Sequence, residues 1–264
     1  MRDLAIFLNI YYNIYMSSDK DSKLRTNTSA QDRVEIDSLT LEALKKGPID
    51  IFDNVYLGET RPHSLILCID VRGFSDFMCS NEETVVFGLI KSFTANFLSC
   101  LNQFGYNCSY YKLLGDGALV IWDKLDGVAI KEAVTVFTTY IEFAKEELFK
   151  PYGNLSIGGA LVLDKVYKYE ISAEAAQLKY RDYVGYGINL ACRLQNLAAG
   201  GELIVSKKLV DIGAIYATKN TNPEVMKKLR ALKGVKSEDR EAIFLYKDIN
   251  PKIISIFKVL SLDF

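Results

Sequence analysis

The order of the apolar segments from Ser64 onward most constrains the fold of this chain. SLILCIDV predicts a strand, and NEETVVFGLIKSF, with Asn81 as the expected N-cap, opens an amphipathic helix that reaches residue 104. Two strands follow in NCSYYKLLG and ALVIWD, then a helix over 126–149 and the strand LSIGGALVLDKVYKY. This β-α-β-β-α-β order predicts an α+β fold with a ferredoxin-like core, an extended antiparallel sheet and flanking helices.

The rest of the chain indicates how the domain is bounded. A third helix is expected in GINLACRLQNLA, a strand in ELIVS, and a closing hairpin in RALKGV and EAIFLYKDI. We predict a helical and irregular extension over 1–60, one globular domain over 61–250 and a short tail over 251–264. Within the extension, residues 17–33 are polar and predict a loop.

Composition and charge exclude several classes of protein. The net charge of −1 gives no bulk attraction to nucleic acid or to an acidic membrane, so we expect neither as a partner. Five scattered cysteines without a CxxC pair predict reduced thiols in the cytoplasm, and one histidine excludes a His-rich zinc site. LAIFLNIYYNIYM is shorter than the roughly 20 apolar residues that span a bilayer, so we predict an N-terminal helix without stable membrane insertion.

Two carboxylates follow neighbouring strands. Asp70 ends an apolar strand, and backbone N–H groups around Gly73, Phe74 and Ser75 could face an anion at the start of the next helix. Asp116 lies between two glycines, where a simple turn role is the alternative. Adjacent carboxylates repel unless a cation lies between them, and Mg²⁺ favours one or two carboxylates plus substrate phosphates. The pattern therefore suggests a metal and triphosphate site.

Further polar residues are candidates for the same site. Asn189 and Arg193 are four residues apart and share a helical face, which is either a solvated stripe or a cleft wall that holds a ribose and a phosphoryl group. Lys112 stands in an apolar strand four residues before Asp116 and requires a partner or a ligand. Asp182, seven residues before Asn189, is a third candidate.

Three segments, in order and correctly spaced over residues 64–247, resemble the signature regions of class III nucleotide cyclases, the adenylate and guanylate cyclase family. They are IDVRGFSDF, KLLGDGALVIW and YGINLACRLQNLAAGGELIVS. The resemblance implies a catalytic domain with a nucleoside triphosphate substrate and two Mg²⁺ or Mn²⁺ ions. It also implies a head-to-tail homodimer with active sites at the interface, where one subunit supplies the metal ligands and the other the Asn/Arg pair.

The resemblance also assigns roles residue by residue. The metal ligands would be Asp70, Asp116 and the Val71 carbonyl; the ribose and transition-state residues, Asn189 and Arg193; the base-reading pair, Lys112 and Asp182; and the triphosphate lysine, Lys233 or Lys236. One position departs from the family pattern. Ser156 stands where the family often has a phosphate-contacting arginine, which Arg72 or Lys233 could replace.

The base is less constrained than the reaction. The Lys112 and Asp182 pair resembles the adenine-reading pair, and guanylate cyclases usually have glutamate and cysteine there, so GTP is disfavoured. Hydrogen bonding leaves ATP, CTP and UTP open. Four tyrosines crowd the expected pocket, although some must point away: Tyr110, Tyr111, Tyr183 and Tyr186.

The layout, with no sensor or transmembrane module beside the catalytic unit, resembles the stand-alone bacterial pyrimidine cyclases of anti-phage signalling. Those enzymes make cyclic CMP or cyclic UMP for a separate effector. We therefore prefer UTP or CTP as substrate and expect a downstream cyclic-nucleotide-binding effector. The alternatives are a soluble adenylate cyclase and an inactive nucleotide-binding or dimerisation module. The Asn-x-x-x-Arg helix argues against a diguanylate cyclase or a polymerase palm.

Overall fold

The computed structural model describes residues 54–173 and 178–246. They belong to the larger of two compact units in the chain, Phe52–Phe264. The strands are β1 (Asn54–Arg72), β2 (Tyr110–Leu113), β3 (Gly117–Trp122), β4 (Ser156–Ala173), β5 (Leu178–Val184), β6 (Leu203–Val205), β7 (Thr218–Lys219) and β8 (Phe244–Tyr246). The α-helices are α1 (Phe74–Ser80), α2 (Glu83–Phe104), α3 (Gly127–Phe143), α4 (Tyr186–Gln195), α5 (Lys207–Asp211) and α6 (Pro223–Ala231).

The strands form one eight-stranded sheet in the order β2-β3-β1-β4-β6-β8-β7, and β5 pairs with β4 away from this path. β1 lies between β3 and β4 and is antiparallel to both. The pairing of β4 with β6 is parallel, as expected where a helical crossover joins two strands. The predicted α+β class, with its ferredoxin-like core and extended sheet, is confirmed.

Helices cover both faces of the sheet, which explains why residues 65–69 of β1 are apolar without alternation. Leu65, Leu67 and Ile69 point into the core beneath α2 and α3. Ile66 and Cys68 point the other way, into a second core beneath α4. A strand buried on both faces carries a continuous apolar run because successive side chains alternate between the two cores.

One helix in the described part of the chain, α2, is long and apolar enough to cross a membrane, with a mean hydropathy of 1.5. Five of its apolar residues are buried against the first core: Val86, Leu89, Phe93, Phe97 and Leu101. Core packing therefore accounts for much of its composition. The absence of stable membrane insertion remains a prediction.

Two local predictions are wrong. Asn81 does not cap α2. The N-cap is Glu82, because Asn81 ends the preceding helix and its side-chain amide donates to the Phe77 carbonyl at 2.8 Å. RALKGV is not a strand: its first residues complete α6, which Asn222 caps by accepting from two backbone N–H groups.

The closing strand β8 pairs instead with β6 and β7. The helix predicted in LAIFLNIYYNIYM, the loop over 17–33 and the tail over 251–264 lie outside the described residues.

Candidate active site

The two predicted metal carboxylates are neighbours at one end of β1 and β3. In the antiparallel register Asp70 pairs with Gly117, and the Val71 N–H donates to the Asp116 carbonyl at 3.2 Å. A Cβ on Gly117 would lie 2.6 Å from the Ile69 carbonyl oxygen, so only glycine permits this approach of the two strands. Pairing of the strands brings both aspartates together, as the sequence predicts.

The surroundings of the two carboxylates favour a bound cation. Burial, and then the charge of Asp116, raises the pKa of Asp70, while the Arg72 guanidinium opposes the shift. Burial also raises the pKa of Asp116. Within the described residues no group of three or more His, Cys, Asp or Glu side chains converges. Two carboxylates with an adjacent backbone carbonyl fit Mg²⁺ or Mn²⁺, because such ions take their remaining ligands from water and substrate phosphates.

Arg72 links Asp70 to the end of α4. Its guanidinium donates to Asp70 Oδ2 at 2.7 Å, to the Ala198 carbonyl at 2.9 Å and to both the carbonyl and the side chain of Gln195. These contacts engage most of its donors, so Arg72 is poorly placed to replace a phosphate-binding arginine. Gly158 provides the space, since a Cβ there would lie 2.8 Å from Arg72 Nη2.

Ser156, where the family often has an arginine, begins β4 and packs against Gly200. A Cβ on Gly200 would clash with Ser156 Oγ, so the two small residues form one close contact. A long side chain at position 156 would have to displace the turn that contains Gly200. Of the two cations considered as replacements, Lys233 therefore remains.

The predicted anion-facing turn follows Asp70 directly. Gly73 adopts φ +80° and precedes α1, whose first backbone bond joins the Phe77 N–H to the Gly73 carbonyl at 3.0 Å. Gly73 and Ser75 are exposed, whereas the Phe74 side chain is buried in the core. The turn lies beside the carboxylates, and its phosphate role stays a prediction.

Asn189 and Arg193 share one side of α4, whereas Leu190 and Leu194, about 100° further round the helix, are buried. Asn189 is exposed, and Arg193 is partly exposed without an ion pair to any described residue. The guanidinium lies beside Gly234, where a Cβ would be 3.4 Å from Arg193 Nη2. An unpaired guanidinium next to a glycine turn can accept an anionic ligand.

The loop after α6 brings Lys233 and Lys236 to the same side as Arg193. Tyr186 anchors this loop, because its hydroxyl donates to buried Asp239 at 2.7 Å and accepts from the Lys236 N–H at 2.8 Å. The Lys236 ammonium lies 4.5 Å from the centroid of the Tyr186 ring. Lys233 is exposed beside Gly234 and has no comparable ring contact among the described residues.

The two predicted base-reading residues form an ion pair, with Lys112 Nζ 2.6 Å from Asp182 Oδ2. Asp182 also accepts from the hydroxyls of Tyr110 and Tyr180, each at 2.7 Å, and from the Tyr183 N–H at 2.8 Å. Burial opposes ionisation of this carboxyl, but the hydrogen bonds from Lys112, Tyr180, Tyr110 and the backbone outweigh it. They lower the pKa of Asp182 to about 2.

The tyrosines divide between the two faces of the strands. Tyr111 is half exposed and points away from Asp182, whereas Tyr110 packs against Tyr183 with ring centroids 4.9 Å apart. Tyr183 donates its hydroxyl to Asp123 rather than into the pocket. Tyr180 was missed because β5 was not predicted. Its spacing of two residues from Asp182 is the signal that places both on one face of a strand.

Comparisons with known proteins agree with this architecture. No protein-family model and no curated protein sequence matches the chain. Among solved structures, the adenylyl cyclase CyaB from P. aeruginosa aligns with a TM-score of 0.58 at 17% identity, over 72% of this chain and 97% of that one. The guanylyl cyclase Cya2 aligns with a TM-score of 0.57 at 19% identity, over 72% and 92% of the two chains.

The guanylate cyclase domain of RhGC from Catenaria anguillulae, solved in complex with GTP, aligns with a TM-score of 0.57 at 13% identity. The alignment covers 72% of this chain and 98% of that one. At such identities the likeness concerns the fold. The chain has the fold of the adenylyl and guanylyl cyclase catalytic domains, so the class III fold implied by the three sequence segments is confirmed.

Proposed function

We propose that this chain, which has the fold of cyclase catalytic domains, converts a nucleoside triphosphate to a 3′,5′-cyclic nucleotide and pyrophosphate. The observation that carries the proposal is the pair of partly buried carboxylates, Asp70 and Asp116, held side by side by the register of β1 and β3. Their raised pKa values are relieved when cations neutralise the pair.

Two Mg²⁺ or Mn²⁺ ions, when bound, would supply charge neutralisation and activation of the ribose 3′-hydroxyl. Asp70 and Asp116 would hold them, with the Val71 carbonyl as a further oxygen donor. Arg193 would stabilise the negative charge that develops at the transferring phosphorus, and Asn189 would orient the ribose. Because such charge is greatest in the transition state, Arg193 contributes mainly to kcat.

The test is to incubate the purified 264-residue chain with ATP, CTP, UTP and GTP, each with Mn²⁺ and with Mg²⁺, and to identify products by mass spectrometry. Asp70→Asn and Asp116→Asn should abolish the cyclic product while leaving the circular dichroism spectrum and melting temperature intact. Asp211→Asn changes an exposed side chain of α5. It is the matched control and should retain full activity. Full activity in purified Asp116→Asn would refute the mechanism.

A homodimer with active sites at the interface is part of the proposal. Arg193 and the two aspartates would then act on the same substrate from different subunits. Mixing inactive Asp116→Asn with inactive Arg193→Ala should restore activity, since heterodimers would contain one complete site. If the mixture stays inactive although both variants exchange subunits, the active site is not shared between them.

For the substrate we propose a pyrimidine nucleoside triphosphate, UTP or CTP. The support is the crowding of the base-reading pair by Tyr110 and Tyr180, whose hydroxyls both donate to Asp182. The alternative, an adenylyl cyclase, predicts cyclic AMP as the product. An inactive nucleotide-binding or dimerisation module predicts binding without any cyclic product.

The biological setting remains a prediction from the sequence: anti-phage signalling through a separate effector that binds the cyclic nucleotide. The described cysteines are all free thiols, which supports a cytoplasmic location as part of the same proposal. Measuring cyclic nucleotides in bacteria that carry the gene, before and after phage infection, tests the role. No rise in any cyclic nucleotide would exclude it.

A further inference from the structure

The carboxylate of Asp182 has no acceptor capacity left for a ligand. Oδ1 accepts from the Tyr110 hydroxyl and from the Tyr183 N–H, and Oδ2 accepts from Lys112 and from the Tyr180 hydroxyl. An ionised carboxylate offers about four lone-pair sites, and four donors occupy them here. A base that donated to Asp182 would have to displace one of these partners.

The exposed fractions of the side chains also indicate that Asp182 does not contact the ligand directly. The Asp182 side chain is 10% exposed, whereas the Lys112 side chain and Tyr180 are each 41% exposed. A ligand that enters from solvent therefore meets the ammonium and the phenol before it meets the carboxylate. Asp182 lies behind the two groups that it binds.

The hydrogen bonds also set the polarity of what a ligand meets. Because the Tyr180 hydroxyl hydrogen is donated to Asp182, its oxygen can only accept, and a ligand would share this acceptor with the neighbouring Lys112 and Tyr169. Lys112 can only donate. The outer surface of the cluster is thus one donor beside one acceptor.

We propose that the Tyr180 hydroxyl oxygen and the Lys112 ammonium contact the nucleobase, and that Asp182 is a positioning residue that orients both. The inference rests on the proposed function and names a specificity residue of that same site. The pair suits a base edge with an acceptor beside an N–H. Cytosine offers N3 and its 4-amino group, uracil O4 and N3–H, and adenine N1 and its 6-amino group.

Tyr180→Phe removes the acceptor and keeps the ring, and Tyr110→Phe is the matched control. Tyr110 also donates to Asp182, but through the other oxygen, and its ring packs on Tyr183. Tyr180→Phe should raise KM by about tenfold for the preferred triphosphate and leave kcat within about twofold, as expected for one lost hydrogen bond. Tyr110→Phe should change KM by less than about threefold.

Base analogues separate a direct contact from a structural effect. CTP is compared with the pyrimidin-2-one riboside triphosphate, and ATP with the purine riboside triphosphate; each analogue lacks the amino group. UTP is compared with N3-methyl UTP. Binding is measured by calorimetry with Ca²⁺, so that the test does not depend on turnover. The tenfold effect of Tyr180→Phe should vanish for the analogue of the preferred base.

The outcomes are distinct. Equal loss for a base and its analogue, or equal loss in Tyr110→Phe and Tyr180→Phe, would overturn the inference although the wild type cyclises its substrate. A wild type that binds triphosphates with the expected Tyr180 dependence but forms no cyclic product would refute the proposed activity and leave the base contact in place.

Discussion

The ionised state of Asp182 should make a measurable contribution to the stability of the native fold. Its hydrogen bonds lower its pKa from the 3.8 of an unperturbed aspartate to about 2. At about 1.4 kcal/mol for each pH unit, this corresponds to about 2 kcal/mol of unfolding free energy at pH 7. The Asp182 side chain is 10% exposed, but Lys112 and Tyr180 are each 41% exposed, so solvent screening makes this figure an upper value.

The sign of the pH dependence follows from the direction of the shift. The folded state favours the carboxylate, so the contribution is complete above the pKa of the unfolded chain, near 4. It declines as the pH falls through about 2. At pH 3 roughly half of the stabilisation should remain, about 1 kcal/mol.

Asp182→Asn removes this contribution and is the perturbation to measure. Urea unfolding, followed by fluorescence of the buried Trp122, should give a difference from the wild type of about 2 kcal/mol at pH 7 and about 1 kcal/mol at pH 3. Asp211→Asn breaks an exposed pair with Lys207, 40% and 51% exposed, and should cost under about 0.5 kcal/mol. A difference for Asp182→Asn that does not change with pH would refute the reasoning.

Three further substitutions test other contacts. Gly234→Ala should lower kcat, because the strain of φ +69° shifts the turn whose Cβ would lie in van der Waals contact with Arg193, at 3.4 Å from Nη2. Gly213→Ala has the same φ in open space, so it should cost about 1 kcal/mol of stability without affecting kcat. Glu132→Ala leaves the buried indole N–H of the single tryptophan without its acceptor, and thermal and urea unfolding should show a loss of about 3 kcal/mol; a loss under about 1 kcal/mol would contradict this. Arg72→Ala should raise the Mn²⁺ concentration needed for half-maximal activity, with Arg72→Lys recovering only part because lysine lacks the planar fork. Unchanged Mn²⁺ titrations would show that this arginine does not support the metal site.

Much of the fold could be predicted from local patterns. A strand segment buried on both faces must be continuously apolar, and residues 65–69 of β1 are. The face shared by Asn189 and Arg193 follows from the period of a helix, and both residues lie on α4 as expected. The neighbouring positions of Asp70 and Asp116 follow from the pairing of two adjacent strands. Each of these predictions depends only on the periodicity of a helix or strand and on the pairing of adjacent strands.

Other parts of the site depend on contacts that no local pattern reports. Arg72 could have been a free cation, but the packing of α4 against β1 and β4 brings Gln195 and Ala198 within reach of its guanidinium. The approach of Tyr180 to Asp182 and Lys112 depends on the pairing of β5 with β4, which no local pattern reports. Sequence spacing cannot assign the partner of a long polar side chain.

The amino-acid sequence by itself determined the class of fold, the neighbouring positions of Asp70 and Asp116 and the helical face shared by Asn189 and Arg193. Periodicity, glycine geometry and strand order are properties of nearby residues, so the sequence carries them directly. The tertiary structure decided which donors and acceptors are already used. The Arg72 guanidinium already donates to protein partners, and the Asp182 carboxylate already accepts four hydrogen bonds. Lys112 and Tyr180 are left at the exposed front of the cluster, because hydrogen bonding among distant residues exists only once the strands and helices have packed.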